Sequence, residues 1–249
     1  MLRCATWLAP GLPLGLFETV SDAVADSLGT RATLESYTTT SGPDPDDDPF
    51  ARDEVDLGFV CAPSYRSLAA RSPSSVRLIE AAPVFNDARN GGRPAYFAEL
   101  VVRGHLDASS LADLAGARIG FNDPQSLSGL VALRDRLSQL DLDTSFATLV
   151  QTGGHRASLE MLAAGTIDAA SIDSNTLLDV GPLPDELRVL ETWGPFPVQP
   201  IVARASLVDK TCQVITSTLL SLHHDPTIAR SLRRFRVEGF APVTEDDYR

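Results

Sequence analysis

Apolar positions change their spacing early in the chain. "RCATWLA" is a short, nearly continuous apolar run, as a buried strand requires, whereas Phe17, Val20, Val24 and Leu28 recur every three or four residues, as one face of a helix requires. Gly29 follows directly and predicts the stop. "VDLGFVCAP", Val55 to Pro63, is again short, apolar and closed by a turn signal, so it predicts a buried strand ending in a loop, "PSYRSL". The change of period then repeats. "ARIGF" leads into Leu130, Leu133, Leu137 and Leu140, "FATLV" leads into "HRASLEMLAAG", and "TIDAASIDSNTLL" joins a strand, a polar loop and the start of a helix. Strands alternating with helices of this length predict the α/β class, with parallel sheets covered by helices.

Two apolar or proline-rich stretches break the alternation, "AYFAELVVR" ending at Arg103 and "LRVLETWGPFPVQPIVAR" from Leu187 to Arg204. They read as two crossings between lobes, with residues 1–95 and 195–249 forming a discontinuous first lobe and 96–194 the second. Ligands of open α/β sheets bind at the carboxyl ends of strands, and a cleft between two such lobes collects several of those ends. The acidic, proline-rich stretch "SGPDPDDDPFARDE" predicts a solvated loop. Its Asp46 to Asp48 run has no EF-hand glycine or closing glutamate at the calcium-binding offsets.

The chain has 249 residues, enough for one large domain or two small ones. Lys and Arg number 21 against 33 Asp and Glu, a formal charge of -12, which argues against nucleic acid or an anionic membrane as partner. Cys4, Cys61 and Cys212 have no metal-ligand spacing and an odd count, so they read as reduced, buried thiols. No metal set or cofactor is expected, and no apolar run is long enough for a membrane span. The N-terminal apolar stretch is broken by Pro10, Gly11, Pro13 and Gly15 and reads as a strand and loop instead of a signal peptide. The expected location is cytoplasmic as the sequence stands, and periplasmic or extracellular if a leader was removed; the expected state is a monomer.

One junction carries chemistry. "IGFNDPQSLSGL" runs from a strand through a polar turn into a helix, and the first turn of a helix has N–H donors without intrahelical partners and the positive end of the dipole. Ser126, Ser128 and Gly129 therefore suit an anion cradle, although one serine serving as a helix cap is the alternative.

"VDLGFVCAPSYRSL", "RPAYFAELVVRGHLDASSLADLAGARIGFNDPQSLSG", "GGHRASLEMLAAGTIDAASIDS" and "RFRVEGFAPVTEDDYR" together resemble the phosphate-, phosphite- and phosphonate-binding proteins of bacterial ABC importers. These are a branch of the two-lobed type II periplasmic-binding-protein fold. The resemblance implies that Ser126, Ser128 and the N–H groups of Leu127, Ser128 and Gly129 hold a phosphoryl group. It also implies that His155 with Ser158, Tyr96, and Ser64 with Tyr65 contact the ligand, with Tyr37 as a weaker candidate. Asp173 ends a strand facing the presumed cleft, or caps the helix after it. Where relatives that take aminoalkylphosphonates carry an acid for the amine, this chain has Gln199, so a plain oxyanion or a phosphonate with a neutral tail is expected, and Trp193 and Phe196 are the nearest aromatics.

The resemblance implies binding of a small phosphorus oxyanion, with lobe closure by hinge motion, as a solute-binding or sensor protein. A partner permease is expected if the protein is exported. The alternative is a cytosolic enzyme on the same fold, with His155 as acid or base and Asp173 as its orienter.

Overall fold

A computed structural model describes residues 1–9, 11–44, 46–71, 73–143 and 145–249. Pro10, which interrupts the N-terminal apolar run, and Pro45 of the acidic stretch lie outside the described residues. The elements in chain order are β1 (Leu2–Thr6), α1 (Leu14–Ser27), β2 (Ala32–Ser36), β3 (Leu57–Phe59), α2 (Ala62–Ala69), β4 (Val76–Leu78) and β5 (Ala81–Phe85). Next come β6 (Ala95–Arg103), β7 (Arg118–Phe121), α3 (Ala132–Gln139), β8 (Thr148–Gln151), α4 (His155–Ala163), β9 (Ala169–Asp173), α5 (Ser174–Val180) and β10 (Leu187–Pro197). The chain closes with β11 (Ile201–Arg204), α6 (Asp209–Ser221), α7 (Pro226–Arg234) and β12 (Val237–Pro242). Contacts divide it into two compact units, Met1–Ala95 with Pro197–Arg249, and Tyr96–Phe196.

In the first unit the sheet order is β2-β1-β3-β11-β4, with β5 and β12 forming a separate ribbon. Helix α1 buries Phe17, Val20 and Val24, the residues whose spacing marks it, and the Phe17 ring packs 5.0 Å from Phe59. Leu28 caps the helix and Gly29 follows at φ 65°, a left-handed turn that glycine adopts without a Cβ clash. Cys4, Cys61 and Cys212 are free and buried, and burial pushes the Cys4 thiol up to about 11.

Three expectations need correction. The sheets are mixed: β1 is parallel to β2 and β3, but β11 runs antiparallel to β3 and β4, and in the second unit β6 runs antiparallel to β9. The antiparallel strands come from the two segments that break the alternation, and these do not enter their sheets through a strand-helix-strand crossover. "PSYRSL" is not a loop but lies within α2, because Pro63 falls in the first turn, where its missing N–H leaves no lost bond and its fixed φ suits a helix.

The acidic stretch is solvated only in part. Asp48 is buried, accepts from the N–H groups of Phe50 and Ala51, and pairs with Arg71 at 2.6 Å, while Phe50 packs against Trp7. A charge run hides such a residue, since only tertiary contacts distinguish it from its neighbours. Asp48→Ala is expected to destabilise by about 2 kcal/mol, because it removes the acceptor of two N–H groups and the buried carboxylate that pairs with Arg71, and urea unfolding would read that directly. An unchanged midpoint would show that the pair holds nothing in place.

The second unit has sheet order β10-β6-β9-β7-β8. Alternate residues of β6 feed opposite faces: Leu100 and Val102 pack with Leu111, Ile119 and Leu133, whereas Val101 packs with Leu162, Ile167 and Ile172. Burial on both faces explains the unbroken apolar run "LVV". Because β7 is parallel to both β8 and β9, these three strands end at one edge of the sheet. The polar junctions of the sequence all leave from that edge.

Candidate anion-binding site

At the first junction, β7 ends at Phe121 and the chain turns through Asn122, Asp123 and Pro124. The Asp123 carboxylate accepts from the Gln125 N–H at 2.9 Å and from Asn122 Nδ2 at 2.7 Å, an aspartate turn that sets the entry into the helix. The helix opens with one wide turn, Leu127–Val131, in which the N–H groups of Leu130 and Val131 both reach the Ser126 carbonyl, and it continues as α3. Ser126 is the cap: its hydroxyl accepts from Gly129 N–H at 3.1 Å. The Gly129 N–H, which the resemblance assigns to the ligand, is therefore engaged by that cap. Ser128 is held on two sides, its carbonyl accepting from Ser171 Oγ at 2.5 Å and its hydroxyl lying 3.3 Å from His155 Nε2. Its own N–H has no hydrogen bond among the described residues.

The second junction leaves β8 through Thr152, Gly153 and Gly154 into His155, the first residue of α4. No side chain caps this helix, since Gly154 precedes it. His155 is buried, and desolvation pulls its imidazole down to about 4, slightly opposed by the Ser171 main chain, so the ring is neutral at physiological pH. Nδ1 has no hydrogen-bond partner among the described residues. Ser158, one turn on, is fully buried and its hydroxyl is engaged by Thr152 Oγ1 at 2.6 Å and the Gly154 carbonyl at 3.2 Å. Its position is that of a support beneath the Gly154 turn. The Gly153 N–H donates to the Asn122 carbonyl at 2.9 Å, which ties the two junctions together.

At the third junction, Asp173 ends β9 and caps α5, accepting from the Asn175 N–H at 2.7 Å. Among the described residues His155 Nε2 lies near Ser128 and Nδ1 has no partner, so no hydrogen bond joins Asp173 to His155 there. Ser174 accepts from the Phe97 N–H at 3.0 Å, fixing the start of β6 here, and Tyr96 next to it is buried with its ring 6.2 Å from Phe196. Trp193 packs against the Leu100 cluster and donates Nε1 to Glu191 at 2.8 Å.

Ser126, Leu127, Ser128, Gly129, His155, Ser158, Asp173 and Tyr96 thus belong to the second unit. The remaining candidates belong to the first. Ser64 is buried in α2 and donates to the Ser41 carbonyl at 3.2 Å, and Tyr65 is buried edge-on to Tyr248 at 5.6 Å, where burial raises its phenol. Tyr37 is exposed, stacks on Trp7 at 4.9 Å and donates to Glu35. Gln199 is buried and lines a small cavity with Leu8, Leu12, Phe17 and Phe59. Sequence reasoning passed over Asn122, Thr152 and Ser171, the residues that hold the cradle; "NDP" after a strand is a turn signal, but nothing in the sequence shows which groups those side chains meet.

A mixed α/β chain in two units thus gathers donor-rich strand-to-helix junctions along one sheet edge of its second unit. The family model described as the periplasmic phosphonate substrate-binding protein of ABC transporters matches residues 47–248, and the chain belongs to that family. The fold is shared with a binding protein component of a phosphonate ABC transporter from Pseudomonas aeruginosa, 15% identical, covering 99% of this chain and 82% of that one at a TM-score of 0.79. It is also shared with a Prochlorococcus marinus protein solved with methylphosphonate, 15% identical, covering 100% and 94% of the two chains at 0.78. A Xanthomonas citri protein solved with ATP is 16% identical, covering 99% and 92% at 0.71. No helix among the described residues is long and apolar enough to cross a membrane.

Proposed function

We propose that this protein binds a small phosphonate or related phosphorus oxyanion at the Ser126–Gly129 turn and His155, as the solute receptor of an ABC importer acting outside the cytoplasmic membrane. The observation that carries the reading is the pairing of Ser128 with a buried, neutral His155 across two helix N-termini. An anion that sheds its water needs convergent donors, and hydroxyl, imidazole and main-chain N–H supply them while helix dipoles add favourable potential. The family's periplasmic description supports the exported location and a permease partner. Two observations favour binding over the enzyme alternative: the family is described as a substrate-binding protein, and the Asp173 carboxylate caps α5 by accepting from the Asn175 N–H.

Gln199 in place of the acid that the resemblance expects for an amine favours a ligand without a cationic amine. Calorimetry with methylphosphonate, phosphite and phosphate tests the reading. Binding is expected, with methylphosphonate tighter than 2-aminoethylphosphonate. Ser128→Ala is expected to weaken it about 10- to 100-fold, the worth of one bond to a charged group. Absence of heat with every oxyanion would reject the reading.

A further inference from the structure

Helix α7 gathers positive charge on one side. Ala229 and Leu232 are buried against the first unit, while Arg230, Arg233 and Arg234, spaced three and four apart, fall together on the opposite side and are all exposed. Arg236 follows just past the helix, exposed and at φ 62°. Among the described residues no carboxylate comes within ion-pair distance of these guanidinium groups, whereas Arg3, Arg71, Arg118 and Arg204 are each paired. The chain has 21 Lys and Arg against 33 Asp and Glu; without these 4 arginines, 17 stand against 33, a charge of -16. The net charge is thus an average that conceals a face of opposite sign. At about 0.1 M salt, charges more than about 10 Å away are largely screened, so a partner that meets α7 responds to the arginines more than to acidic residues on distant faces.

Helix stability does not account for this arrangement. The dipole favours Arg233 and Arg234 in the last turn, but neither Arg230 a turn earlier nor Arg236 beyond the end, and like charges three and four residues apart repel. Nor does the face suit a protein or a small anion. Between Arg230 and Arg236 no apolar side chain is exposed, since Leu232 is buried and Phe235 half-buried, and the exposed side of a single helix is convex. A protein partner needs an apolar core and a small anion needs a concave pocket. A plane of phosphate headgroups needs neither, only guanidinium groups spread over one side, each able to take phosphate oxygens in a fork.

We propose that the arginine face of α7 docks this protein on an anionic phospholipid surface. The contact is peripheral and electrostatic, and it is independent of the oxyanion site. For a receptor acting outside the cytoplasmic membrane, such docking keeps it at the surface where its importer lies.

The test is flotation of the full chain with vesicles of phosphatidylcholine alone or with about 30% phosphatidylglycerol, at about 0.02 M and about 0.3 M salt. Binding is expected only with phosphatidylglycerol and only at the lower salt. Each arginine neutralised is expected to weaken it about fivefold, so Arg233→Gln combined with Arg234→Gln should weaken it about 25-fold. Arg31→Gln combined with Arg134→Gln is the control: both arginines are exposed and lie elsewhere, the net charge changes equally, and binding should stay within about twofold. Glutamine matches arginine in helix propensity, so both proteins should fold. Equal losses in the two variants would mean that net charge governs binding, and flotation with phosphatidylcholine alone would mean an apolar contact; either overturns the proposal. Absence of flotation at low salt overturns it too, and retention on immobilised polyglutamate without flotation would assign the face to an acidic protein instead. Oxyanion calorimetry on the same proteins reads the ligand site separately, so failure here leaves that reading intact.

Discussion

Gly129→Ala, the addition of one methyl group, is expected to reduce methylphosphonate affinity about 100-fold or more, the worth of two bonds to a charged group. The Cβ would stand 3.0 Å from Ser126 Oγ and in collision with Asn122 Oδ1, so the cap, the turn and the amide cannot all keep their places. Ser126 is itself the hydrogen-bond partner of Gly129, and the Ser126 carbonyl receives two further N–H groups, so a shift there passes into the whole first turn. Overpacking of this kind costs about 1 to 3 kcal/mol of stability, a loss the folded domain should survive. Gly154→Ala is the contrast: its backbone is extended at φ 179° and no atom lies within 4 Å of the added Cβ, so its melting temperature should stay unchanged. Calorimetry and thermal melts on the two variants check both statements, and a Gly129→Ala protein that binds normally would remove this turn from the site.

The sequence shows alternating strands and helices because α1, α3 and α4 each bury one stripe while β1, β3, β6 and β9 are buried along nearly their whole length, so spaced apolar positions alternate with short unbroken runs. It also shows where N–H groups and hydroxyls gather, since "QSLSG" and "GGH" are local features. What it does not show is set by partners distant in sequence. Ser126 caps and Ser128 meets an imidazole 27 positions away, a division of labour that neither serine's neighbours reveal. The direction of β6 and β11 depends on how each chain segment enters its sheet. Asp48 differs from Asp47 only because Arg71 and two N–H groups reach it. Tyr65 is misplaced onto a loop by reading Pro63 as a stop, when a proline in the first turn is equally a start.

The depth of His155 has a consequence for acid stability that can be separated from every carboxylate effect. Its imidazole stands at about 4 in the folded protein and at the ordinary value of 6.5 in the unfolded chain. As pH falls through 6.5 the unfolded chain takes up a proton that the folded one refuses, so stability is undiminished above 6.5, drops between 6.5 and 4, and levels off once both forms are charged. At about 1.4 kcal/mol per pH unit the loss is roughly 3 kcal/mol by pH 4. Asp56 works in a lower window. Its carboxylate lies between Arg3 and Arg204, each 2.8 Å away, and although burial opposes them the guanidinium bonds hold it down at about 2. Its contribution is present above the ordinary value of 3.8 and is lost only as pH falls from there towards 2. Urea unfolding of the wild type and of His155→Gln at half-unit steps from pH 7 to 3 separates the two windows. The variant, which keeps a polar side chain without a titrating ring, should lose the decline between 6.5 and 4 and keep the one below it. Parallel curves for both proteins would mean that His155 titrates normally, and a ring charged at pH 6 would bring a positive charge to the cradle beside Ser128.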